Sequence, residues 1–187
     1  MLKEKKVLLT TSRRPTSRMR SFCRDLAGCL PKIVRINRGK LNLDGIVEKA
    51  LEVDADRVVI VDRWKGGPCR IQLLLVKDAS LTPVPPLIYI SGIKLRREFE
   101  TKTKPVRSFV ITTSPENSPH SEKTAEFLAH FFNIPVLSVE QTDSGYSASV
   151  HISTNTSSRT IITFVLLPRF TETGPRISVA NATCFDK

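Results

Sequence analysis

The sequence predicts an α/β protein of two tandem similar halves, each a small mixed sheet with helices. Three observations carry that reading. Val7-Leu8-Leu9 is an apolar run of buried-strand length, followed at once by Thr10-Thr11-Ser12. The same succession returns as Phe109-Val110-Ile111 and Thr112-Thr113-Ser114, 102 residues later. Around both copies the elements keep one order: apolar strand, polar loop with proline, amphipathic helix, proline, apolar strand. A shared order of elements marks an internal repeat far more strongly than a shared tripeptide.

In the first half, Pro15 and the hydroxyl residues around it are helix-start chemistry. The helix spans about Thr16 to Cys29. Met19, Phe22, Cys23, Leu26 and Leu30 fall on one face at helical spacing. Pro31 ends it, and Ile33 to Ile36 reads as a second strand. Arg35, Asn37, Arg38, Gly39 and Lys40 form the next loop. A second helix spans about Asn42 to Val53, with Leu43, Ile46, Val47, Ala50 and Leu51 as its expected buried face. Arg57 to Trp64 and Arg70 to Val76 are strands joined by Lys65-Gly66-Gly67-Pro68, a hairpin. Trp64 reads as a strand-end side chain packed on the turn rather than a base-stacking platform. Leu81-Thr82-Pro83-Val84-Pro85-Pro86 reads as a stiff connection, before another strand from Leu87 to Ile90. The boundary between halves falls near residues 100–106.

The second half repeats the plan with one omission. Val106 to Thr113 is the strand, and Ser118-Pro119 opens a helix in cap-then-proline order. Thr124, Phe127, Leu128 and Phe131 are its expected buried face, and His130 falls on its solvent side. Pro135 to Val139 is a strand. Ser147 to Ser153 and Thr160 to Leu167 form a hairpin, and Ile177 to Cys184 a last strand. Between Val139 and Ser147 there is no room for a counterpart of the second helix.

Charge separates the halves that pattern relates. Residues 1–104 carry 23 basic and 11 acidic side chains, a balance of +12, while residues 105–187 carry 6 and 7, a balance of −1. Such asymmetry points to a polyanion bound by one half. No helix pairs a basic face with a large aromatic face, so nucleic acid leads over a membrane surface. There is no apolar run of spanning length. Arg13 interrupts the first apolar run before it could serve as a secretion signal, so a cytoplasmic protein is expected.

Chemistry for catalysis is missing from the pattern. There is no phosphate-loop motif, no dinucleotide fingerprint and no nucleophile elbow. The histidines, His120, His130 and His151, lack metal spacing, and the four cysteines lack paired spacing and are expected as free thiols. A non-enzyme without cofactor or metal is expected.

Thr11-Ser12-Arg13-Arg14-Pro15-Thr16-Ser17, the Asn37-Arg38-Gly39-Lys40 loop and the Gly66-Gly67-Pro68 hairpin resemble the Brix domain over nearly the whole chain, 1–187. The short archaeal Brix proteins are the most similar. The resemblance implies a role in ribosome biogenesis, in ribosomal RNA processing and subunit assembly, with ribosomal RNA or its precursor as partner and other assembly proteins beside it. It implies a tandem of halves, each similar to the anticodon-binding domain of class II aminoacyl-tRNA synthetases. It implies no catalytic residues. A monomer is expected. The alternative is a protein-interaction scaffold without direct RNA contact.

The residues expected to meet RNA are all in the basic half. Arg13, Arg14, Arg18, Arg38 and Lys40 form one phosphate-binding surface, because loops leaving parallel strand ends gather on one edge of an α/β sheet. Helix N-termini there add to their charge. Arg20 and Arg24 share one flank of the first helix, Arg35 precedes the glycine loop, and Lys65 stands at the hairpin tip. With few aromatics among them, recognition through phosphate and shape fits better than base stacking.

Overall fold

Among the described residues eleven strands join in one mixed sheet. The computed structural model describes residues 6–63, 69–101, 104–142 and 145–183. In chain order the first part holds β1 (Lys6–Thr11), α1 (Ser17–Cys29), β2 (Ile33–Arg35), α2 (Leu43–Glu52), β3 (Ala55–Arg63), β4 (Cys69–Lys77) and β5 (Ser80–Lys94). A single 3-10 turn, Arg96–Glu98, follows. Then come β6 (Phe109–Thr113), α3 (Pro119–Phe132), β7 (Val136–Ser138), a 3-10 turn Val139–Gln141, β8 (Ala148–Thr154), β9 (Thr160–Leu166), β10 (Thr171–Glu172) and β11 (Arg176–Thr183).

Strand order across the sheet is β2-β1-β3-β4-β5-β11-β9-β8-β6-β7, with β10 beside β9. β1 pairs in parallel with both β2 and β3, and β6 in parallel with both β7 and β8. The remaining pairings are antiparallel. Followed across these pairings, β6 runs opposite to β1. Right-handed crossovers explain the helix positions. The step out from β1 to β2 sets α1 on one face, and the return to β3 sets α2 on the other.

The larger core lies on the face shared by α1 and α3. It joins Phe22, Cys23 and Leu26 of α1, Leu128 and Phe131 of α3, and inward residues of strands from both parts of the chain. The smaller core lies under α2: Leu8, Ile46, Ala50, Val58, Ile60 and Leu74. Continuous apolar runs such as Val58-Val59-Ile60-Val61 have both faces covered here.

Several local expectations change. Residues 81–86 are not a connection; they belong to β5, paired with β4 through Leu81↔Val76, Thr82↔Leu75, Pro83↔Leu74 and Val84↔Leu73. β11 meets β5 only from Leu87 onward, so this segment has an open side where prolines cost no ladder bond. Pro15 precedes the cap rather than entering the helix; Thr16 is the N-cap and accepts from the Met19 N–H. Leu43 and Leu51 are 54% and 59% exposed, and Gly45, Ile46, Val47 and Ala50 make the buried face of α2. Phe127 is only partly buried. The 3-10 turn at Val139–Gln141 stands where α2 has no counterpart.

Cys23, Cys29 and Cys69 are free and buried; Cys184 lies outside the described residues. Burial, helped by neighbouring Cys69, pushes the Cys23 thiol up to about 12, and burial pushes Cys29 to about 11. Protonated thiols of this kind pack as small hydrophobes.

Candidate nucleic-acid interface

The chain leaves β1 at Thr11 and β2 at Arg35, and the two strands are parallel. Both loops therefore open on one edge of the sheet, and each leads into a capped helix. Thr16 caps α1, and the Asn42 side chain accepts from Gly45 N–H at 2.8 Å to cap α2. Two helix N-termini with free backbone donors then face that edge.

Arg38 ties the loops together. It is 9% exposed. Its Nε donates to Leu41 O at 2.8 Å and its Nη1 to Thr11 O at 3.4 Å. Burial, and next the charge of Arg13, hold its pKa below the ordinary arginine value. Carbonyls rather than a carboxylate hold this cation, so its charge is not cancelled locally. Arg13, Arg14 and Lys40 are exposed, with no hydrogen-bond or ion-pair partner among the described residues. Three exposed cations and a buried fourth thus lie on the two loops that leave this edge.

The other expected residues lie elsewhere. Arg18 turns to the end of β5, donating to Ile93 O at 2.5 Å and lying 3.6 Å from Glu98. Arg20 and Arg24 are exposed on α1 without described partners. Arg35 donates to Asn37 Oδ1 at 3.2 Å. Lys65 and Trp64 lie outside the described residues.

Sequence reasoning missed a polar group on the strands beside the loops. Asp62, 8% exposed, accepts from Arg70 Nη2 at 2.7 Å and Arg70 Nε at 3.1 Å, and from Gln72 Nε2 at 2.5 Å. Arg70 neutralises the acid. An acid inside an apolar strand was the only signal in the sequence.

Among the described residues no His, Cys, Asp or Glu group could hold a metal, and no helix is long and apolar enough to cross a membrane.

No protein-family model matches the sequence. The chain is 36% identical over 131 residues to a probable Brix domain-containing ribosomal biogenesis protein of Methanopyrus kandleri, covering 67% of this chain and 66% of the relative. It is 30% identical over 135 residues to the protein of the same description from Pyrobaculum aerophilum, covering 71% of each. In other curated archaeal relatives the match spans about half of the relative's length. Among solved structures, a probable ribosomal biogenesis protein from Aeropyrum pernix K1 superposes with a TM-score of 0.78 at 25% identity, over 94% of this chain and 95% of that one.

Proposed function

The chain belongs to the Brix domain family of ribosomal biogenesis proteins, and on that premise we propose that it binds ribosomal RNA or its precursor during processing and subunit assembly. One observation carries the reading. Among the described residues Arg13, Arg14 and Lys40 have no partner and Arg38 meets no carboxylate, at an edge where two helices begin. Phosphate oxygens match that set of donors. The protein acts without catalysing a reaction, as a cytoplasmic monomer among other assembly proteins.

We read residues 1–104 and 105–187 as half-repeats, each related to the anticodon-binding domain of class II aminoacyl-tRNA synthetases. The strand pairings support this. Inward from either end of the sheet they run parallel, parallel, antiparallel, antiparallel. RNA binding belongs to the basic half.

The test is a gel shift of the full chain with a ribosomal RNA transcript over a range of salt. About five phosphate contacts give a log–log slope near −4. An affinity that stays flat with salt favours the scaffold reading, in which the basic charge meets no RNA.

A further inference from the structure

Beside the phosphate loops the sheet face opposite α1 carries a cleft of about 390 Å³. That is within the roughly 300–1,000 Å³ of small-molecule sites. Arg13 and Arg38 stand in its lining, together with Leu43, Pro83, Asp62 and Gln72. We infer that this cleft takes one unpaired nucleotide of a bound RNA, its phosphate on Arg13 and Arg38 and its base against Leu43, Pro83 and the Gln72 amide. The inference rests on the RNA-binding reading and adds a specificity to it.

Each part of the cleft has a feature that the fold alone does not require. Leu43 lies on the same helical stripe as Ile46 and Val47, yet it is 54% exposed because it stands in the first turn of α2, at the margin of the sheet. An exposed leucine beside a proline offers an apolar contact to a base face. Gln72 has a fixed amide. Its Nε2 donates to the Asp62 carboxylate, which accepts only, so Oε1 and the second N–H have settled positions. No described residue bonds Oε1. A donor and an acceptor side by side can pair with a base edge, as asparagine and glutamine amides do. Asp62 carries little net charge to the cleft, because Arg70 holds it with two N–H donors.

A base enters such a cleft only when it is unstacked. The site therefore favours single strands, loops and bulges over duplex. With no aromatic ring among the described lining residues, the base contributes selectivity more than affinity.

The experiment compares the full chain with Gln72→Leu and Leu43→Ala. The probes are short homopolymeric RNAs of each base, a blunt RNA duplex with the same number of phosphates, and the four free mononucleotides. The wild type is expected to bind at least one homopolymer more tightly than the duplex. Gln72→Leu should lower that preferred affinity by about tenfold, the loss of a hydrogen bond to a desolvated base, and level the ranking of bases. Leu43→Ala should lower all four homopolymers by a few-fold. Neither should change the duplex affinity, which reads the phosphate contacts alone. Equal single-strand and duplex binding, unaffected by both variants, overturns the cleft while leaving the RNA-binding reading in place. Absence of binding to every RNA overturns both. Saturation by free mononucleotides without any single-strand preference overturns the RNA-borne nucleotide in favour of a free one.

Discussion

Ser12 donates its backbone N–H to Val61 O at 2.9 Å, and Ser114 donates to Ile152 O at 3.2 Å. Each serine follows a buried parallel strand and opens a loop to a capped helix, Thr16 for α1 and Ser118 for α3. The backbone solution is the same; the side chains are not. The loop at 12–16 holds Arg13 and Arg14 without described partners. The loop at 114–118 holds Glu116 and is tied down onto β8. Asn117 Nδ2 donates to Ile152 O at 2.9 Å, Ser118 N–H to Thr154 Oγ1 at 2.9 Å, and Ser114 Oγ meets His151 Nε2 at 3.1 Å. Because β6 runs opposite to β1, the two loops also open on opposite edges. A helix N-terminus is common to both places, so it cannot by itself decide which one meets phosphate. In the proposed reading the cations decide it.

The sheet face teaches the same lesson in apolar terms. Where α2 covers it, β3 presents Val58 and Ile60. At the matching places beside β6, β8 presents Ser149 and His151, paired with Val110 and Thr112. No counterpart of α2 stands here, yet Thr112 and Ser149 are buried, and these polar side chains satisfy one another. Thr112 Oγ1 lies 2.6 Å from Ser149 Oγ and 3.0 Å from His151 Nδ1.

The largest effect should come from breaking the covered face. Ile46, on the buried face of α2, is fully buried, and Ile46→Ala should cost about 2–5 kcal/mol in denaturant unfolding. Ser149→Ala, at the buried polar cluster where no α2 counterpart stands, removes one hydrogen bond and should cost about 1 kcal/mol. Equal costs would mean that α2 contributes little to the core.

Next in size is the charge contrast between the loops. Replacing Arg13 and Arg14 together with Ala should weaken RNA binding by roughly 1–3 kcal/mol. Stability should move by no more than about 0.5 kcal/mol, since both are exposed. Normal binding by the double variant would remove this loop from the interface. Glu116→Arg should raise affinity only slightly, because its loop faces the other edge. Smaller again are the caps, where Thr16→Ala and Ser118→Ala should each cost about 1 kcal/mol in thermal unfolding. Ser118 should be the costlier, for its hydroxyl also bonds Ser121.

What the sequence revealed was local chemistry. Ser118-Pro119 announced a helix start because capping needs only neighbouring residues. Ser147 to Ser153 and Thr160 to Leu167 announced a hairpin for the same local reason, and β8 pairs β9 antiparallel. What stayed hidden needed partners far along the chain. Leu81 to Pro86 read as a connection because the open side of β5 is set by where its pairing with β11 ends. Arg38 read as an exposed loop cation because Thr11 O, which draws it inward, is 27 residues away. Leu43 read as core because the helical stripe does not show where the sheet ends. The charged loop was visible from composition; the cleft beside it was not, since Gln72 and Leu43 meet only through the fold.

The last and smallest effect concerns pH and again separates the two ends. His151 is half-buried, with Thr112 on one ring nitrogen, Ser114 on the other, and Phe170 edge-on at 5.2 Å. Burial lowers its pKa below the ordinary histidine value, and Glu172 offsets part of that. The unfolded chain therefore takes up this proton at a higher pH than the folded one. The stability that neutral His151 contributes is complete above the unfolded value of about 6.5 and declines as the pH falls toward the folded value. Ile60, at the corresponding place under α2, cannot titrate, so at this pair of positions the sensitivity belongs to His151. His151→Gln keeps a polar side chain there and removes the titration. Thermal unfolding should then show a shallower loss between neutral and mildly acid pH in the variant than in the wild type. Parallel curves for the two proteins would assign the acid sensitivity to other groups.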